Sequence, residues 1–185
     1  MAIFRIYKAE EGGSDLDITY EKMSMSLGSL LLVWAQVEKS VRAEVVRHHG
    51  SLPPRAHGIA AAVRTWEIGV VEAQPTTSLC PRLAAILRRQ LQGPLDVRNG
   101  LCHGLVGISA ANGPAPAALY WEINGEKHSI CWEELQEQFG WLSRITRAIG
   151  IISNPSLDRV GSRAKDTAEN REWWRSEFSL DLPER

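Results

Sequence analysis

Arg98, Asn99 and His103 lie within six consecutive residues, Arg98-Asn-Gly-Leu-Cys-His103, of a 185-residue chain. These residue types can break a phosphodiester without help from a cofactor. An imidazole gives or takes a proton near neutral pH. A guanidinium holds a phosphate bidentately and stabilises charge building on its oxygens. A carboxamide fixes the histidine tautomer or bonds the phosphate. On a helix, Asn99 and His103 are four apart and share a face. Arg98 is one position away, and its long side chain can reach round to the same groove. The set suits RNA cleavage in which the 2′-OH attacks the adjacent phosphorus while His103 shuttles protons. That reaction requires no cofactor and no metal, and neither is expected.

Other chemistries lack their residues. There is no GxxxxGK[ST] and no strand-linked GxGxxG, so no phosphate cradle of those kinds. Zinc is not expected without HExxH or a Cys/His cluster. No GxSxG elbow occurs. A second Arg-to-His spacing exists, Arg42 with His48 or His49, but it closes a long helix, where histidines suit the C-terminal dipole. Glu38 falls on the apolar stripe of that helix, and a buried carboxylate needs a partner. Arg98 is the candidate, which would make Glu38 a carboxylate orienting the catalytic pair. The alternatives are an ion pair fixing helix register, or a stripe-edge Glu that reaches water.

The segment resembles the signature of the HEPN family of helical-bundle ribonucleases: an Arg, four to six residues, then a His, often with a polar residue directly after the Arg. Arg98-Asn99-Gly-Leu-Cys-His103 fits the four-residue form. The resemblance covers about residues 19–153. It implies an α-bundle that dimerises, with two copies of the motif facing one another to form one cleft for single-stranded RNA. Arg98 would stabilise phosphate charge, His103 would be general acid or base, and Asn99 would orient. It also implies a role as a toxin or antiviral-defence effector, sometimes neutralised by an antitoxin. One departure narrows this. Some members carry, two residues after the motif His, a Tyr that a nucleotidyltransferase antitoxin modifies; here that position is Leu105. Gly100 inside the motif helix is a second departure, expected to weaken rigid positioning. The rival reading is a non-catalytic HEPN-like module that binds a protein partner or nucleotide.

Composition is compatible with one globular core. The chain is 44% hydrophobic and 23% charged, with net charge −1, which excludes a disordered polyelectrolyte. The longest apolar run, Leu27–Val37, is too short and too interrupted to span a bilayer. Lys8, Glu10 and Glu11 interrupt the N-terminus before a signal-peptide core forms. Three widely spaced cysteines read as reduced thiols, so the expected compartment is cytoplasmic. Residues 42–118 carry eight Arg, four acids and four of the five His. That weakly basic stretch can meet a phosphate chain but is no DNA-coating surface.

The elements that must position the motif follow from periodicity and punctuation. Leu27, Leu30, Trp34, Val37, Val41 and Val45 predict a long helix over about 19–49, stopped by Gly50 and Pro53-Pro54. A second is predicted over about 54–72. A third starts after Ser78 and carries Leu79, Leu83, Leu87 and Leu91. Gly93-Pro94 is expected to end it and open a short fourth helix, placing the motif where free backbone N–H groups favour an anion. Leu119–Ile123, Asn124-Gly125 and Lys127–Cys131 predict a β-hairpin with a type I′ turn. A last core helix is predicted over 132–153. The expected fold is an all-α antiparallel bundle of four to five helices with that small hairpin inserted before the last one. The expected division is a lead or arm over 1–18, the bundle over 19–153, and a polar tail over 154–185 with a short aromatic helix. Trp34, Trp66 and Trp141 read as core, and Trp121 as core or as a stacking surface for a base. Trp173 and Trp174 cannot both face one core from adjacent helical positions, which makes the tail a candidate contact for an antitoxin or other protein.

Overall fold

The computed structural model describes residues 18–112, 114–154 and 163–183. The N-terminal lead lies outside the described residues. Helix α1 runs Tyr20–His49, with the Thr19 side chain accepting from Lys22 N at its start and Gly50 in the left-handed region (φ 76°) at its end. Its stripe buries Leu30, Trp34, Val37, Val41 and Val45. Helix α2, Ile59–Ala73, begins later than periodicity suggests, because Pro54–Ala56 close a separate 3-10 turn before Gly58. Two consecutive prolines favour that short turn over a full helical start.

The largest correction concerns α3, Cys80–Gly104. It is one continuous helix with Pro94 inside it. Pro94 removes one backbone hydrogen bond and normally costs about 3 kcal/mol in a helix interior. Here Leu83, Leu87, Leu91, Leu95 and Leu101 stay buried along one side, straight through the proline. Each buried Leu is worth about 1.5–3 kcal/mol, so keeping the stripe in register outweighs the break. The motif therefore occupies the last two turns of a long helix, and the free N–H groups expected beside it are absent.

After Gly104 the chain turns directly into strand β1, Leu105–Ser109, which the sequence does not predict. Strands β2, Ala118–Ile123, and β3, Glu126–Cys131, form the predicted hairpin. Asn124 (φ 54°) and Gly125 (φ 82°) both take positive φ, as a type I′ turn requires. The antiparallel sheet has order β1-β2-β3, so the fold is mostly helical with a three-stranded sheet, and not an all-α bundle.

Helix α4, Trp132–Ser153, starts with Glu134 Oε2 accepting from Cys131 N at 3.0 Å. It packs on α1, which also meets α2, while α3 lies against α2 and β2. Helix α5, Ala168–Phe178, docks on α4. Trp174, Phe178, Leu180 and Leu182 join the same apolar core as the bundle. Trp141 Nε1 donates to Phe178 O at 3.0 Å, and Trp174 Nε1 to Arg163 O at 2.9 Å. Residues 163–183 thus form a packed layer of the body, despite their polar composition.

Candidate functional site

The end of α3 is held by two glycines that let a strand approach. A Cβ on Gly100 would lie 2.2 Å from Trp121 Nε1, and one on Gly104 would lie 2.3 Å from the Glu122 carbonyl oxygen. Trp121 therefore packs inward, under the motif, and its outer side is stacked by His128 with ring centroids 5.7 Å apart. Gly100 was expected to loosen the helix. It does the reverse, since its missing side chain is the seat of the indole. Its spacing of four from Gly104 was the available sequence signal, since two glycines on one helix face mark a close approach.

Helix propensity alone would make Gly100→Ala stabilising by up to about 1 kcal/mol. The indole contact reverses the sign. Overpacking here is expected to cost about 1–3 kcal/mol, read as a lower urea midpoint.

Around this scaffold the motif side chains are open. His103 and Cys102 are exposed, while Arg98 and Asn99 are half-buried. Arg98 Nη1 donates to Asn99 Oδ1 at 2.9 Å. Five helical positions separate Arg98 from His103, about 140° around the axis. The bond to Asn99 turns the guanidinium toward the side that Asn99 shares with His103. The three residues are thus gathered at one helix end, as their spacing suggests. The electrostatics differ from expectation. A helix C-terminus carries free carbonyls and partial negative charge, so attraction of a phosphate falls to side chains, Arg98 first, and not to the helix end.

Glu38 does not partner Arg98. It pairs with Arg42 on its own helix at 2.6 Å, and both side chains keep 29% exposure. Arg42 also donates to the His57 carbonyl. Glu38 thus fastens α1 to the turn before α2 and is no orienting carboxylate of the motif. The second Arg-to-His spacing is likewise accounted for. His48 Nε2 lies 3.2 Å from Glu72 Oε2. Its ring fills the space left by Gly69 and meets His49 edge-on at 4.7 Å. Trp34 and Trp66 are core, and Trp66 Nε1 donates to Ser153 Oγ at 2.8 Å. Among the described residues no three His, Cys, Asp or Glu are grouped so as to hold a metal ion, and no helix is long and apolar enough to cross a membrane.

Burial pushes the Cys80 thiol above its usual range, and burial beside Glu134 does the same to Cys131. Cys102 is exposed. Because the thiolate is the reacting form, alkylation of the native protein at pH 8 is expected to label Cys102 first. Cys80 should react only on unfolding, as peptide mass mapping would show.

The chain matches no protein-family model, no curated protein and no solved structure.

Proposed function

We propose that the protein is a metal-independent endoribonuclease of HEPN type, with the end of α3 as its active site. The observation that carries the reading is the Arg98–Asn99 hydrogen bond, which holds the guanidinium to the residue one helical turn before the exposed His103. In the proposed reaction the ribose 2′-oxygen bonds to the adjacent phosphorus and the bond to the 5′-oxygen breaks. His103 takes the 2′-OH proton. The leaving 5′-oxygen takes a proton from a second imidazolium, which a homodimer supplies. Arg98 stabilises the extra charge on the phosphoryl oxygens, and Asn99 holds Arg98 in place. The products are a 2′,3′-cyclic phosphate and a 5′-hydroxyl. On this reading single-stranded RNA is the substrate, and the role is that of a toxin or defence effector working in the cytoplasm.

The test is incubation of end-labelled single-stranded RNA with the full chain in EDTA. Cleavage leaving 2′,3′-cyclic phosphate ends supports the enzyme. Intact RNA beside a stable folded protein rejects it and favours the rival, a non-catalytic module for a protein or nucleotide.

A further inference from the structure

The solvent face of α1 has the wrong composition for a helix that ends at water. Between Met23 and Val46 its exposed positions are 25, 28, 29, 32, 35, 36, 39, 43 and 46. They read Met, Gly, Ser, Leu, Ala, Gln, Lys, Ala and Val, with Lys39 the single charge. The exposed face of α4, by contrast, carries Glu133, Glu134, Glu137, Arg144 and Arg147. A surface helix ordinarily keeps its charges outward. On α1 the charged Glu38, Arg42 and Glu44 lie on the half-buried flanks instead. Met25 and Leu32 are left 72% and 59% exposed.

The spacing is that of a helix-pairing seam. Met25, Leu32, Lys39 and Val46 recur every seven residues, and Gly28 and Ala35 set small side chains between them. A seven-residue repeat is the period at which one helix packs along another. Gly28 weakens the helix relative to alanine, yet a Cβ there would touch nothing else among the described residues. A second backbone crossing the face gives that gap a use.

We infer that this face pairs antiparallel with the same face of a second copy of the chain. The repeat is its own complement, as a two-fold contact requires. Its charge selects the direction. Parallel pairing would set Lys39 against Lys39 of the second copy. Antiparallel pairing centred between Leu32 and Lys39 separates the two ammonium groups by about 10 Å along the axis. It sets Met25 against Val46 and Leu32 against the aliphatic stem of Lys39, whose charged end reaches water. The seam is about 32 Å long at 1.5 Å per residue, which is small for a stable interface, so the dimer dissociates on dilution. This inference stands on α1 alone and does not need the ribonuclease reading.

The test is the mass of the full chain by sedimentation, with RNA cleavage measured separately. The expected result is a concentration-dependent dimer of the 20.6 kDa chain. Leu32→Lys should weaken it by at least about 100-fold, since pairing would set its ammonium group against that of Lys39 of the second copy, with the Tm of the dilute monomer unchanged. In a Cys102→Ser background, Ala35→Cys lies beside the two-fold axis and should form an intermolecular disulfide on mild oxidation. Met25→Cys should not, because antiparallel pairing holds its copies about 30 Å apart. A monomer at every concentration overturns the pairing, and so does a dimer indifferent to Leu32→Lys. Self-linking of Met25→Cys overturns the antiparallel direction. A monomer whose Tm falls with Leu32→Lys assigns the face to another segment of the same chain and also overturns it.

Discussion

His103→Ala is expected to lower RNA cleavage by about 10²- to 10⁴-fold, the usual worth of a positioned general acid or base, without changing the fold. The side chain is exposed, and exposed substitutions away from special contacts shift stability by about 0.5 kcal/mol or less. Lost activity would therefore report chemistry and not unfolding, which equal urea midpoints of wild type and variant would establish. Arg98→Lys is the companion. It keeps a positive charge but loses the planar fork that holds both a phosphate and Asn99 Oδ1. An effect on kcat comparable to His103→Ala would mean that Arg98 acts in the transition state. An effect confined to KM would mean that it only gathers substrate. Cleavage by His103→Ala at the wild-type rate would reject the site outright.

The hairpin was legible because its turn chemistry is local: Asn-Gly meets the backbone requirement of a type I′ turn wherever it occurs between alternating strands. Helices α1 and α4 were legible because their stripes run unbroken from cap to cap. The strand after Gly104 was not. Leu105-Val-Gly-Ile-Ser109 has no alternation that marks it, and its partner β2 is found only once the chain has folded back. Helix α3 is not legible at Gly93-Pro94, where a local breaker meets a stripe of leucines long enough to overrule it. The motif therefore sits at a helix end and not at a helix start, which reverses the electrostatics of its site.

The candidate site was legible in its side chains and illegible in its support. The spacing of Asn99 and His103, and the reach of Arg98, are local properties of a helix, and the geometry keeps them. What holds the helix end is not local. Trp121 reaches Gly100 from a strand, β2, that the chain forms only after the helix has ended. Glu38 shows the converse. Its place on an apolar stripe suggested a distant partner, yet the nearest cation one turn along the same helix answered the need. A side chain at a stripe edge retains water, and a half-buried i,i+4 pair suffices there.

Residues 163–183 give the largest expected effect on stability. Trp174 is fully buried and its indole N–H is satisfied by Arg163 O at 2.9 Å. Trp174→Ala removes a large core side chain together with that buried hydrogen bond, so the expected cost is about 3–5 kcal/mol. That is a large part of the roughly 5–15 kcal/mol that holds a domain folded. The neighbouring Trp173 answers how two adjacent tryptophans are both placed. Its ring meets Trp174 and Phe178 edge-on, with the Arg163 and Arg147 guanidinium carbons 4.7 Å and 5.9 Å from its centroid. Arginines of the same chain cover it, and because it stays half-exposed Trp173→Ala should cost clearly less. Urea unfolding of both variants separates them: Trp174→Ala lowers the midpoint far more at an unchanged m-value. Equal midpoints would mean that α5 is only loosely docked. The consequence reaches function. Deleting residues 154–185 would remove Trp174, Phe178, Leu180 and Leu182 from the core, so lost binding after that deletion would report unfolding. A partner of this region has to be sought with substitutions on the outer face of α5, such as Glu172 and Ser176, which leave the core intact.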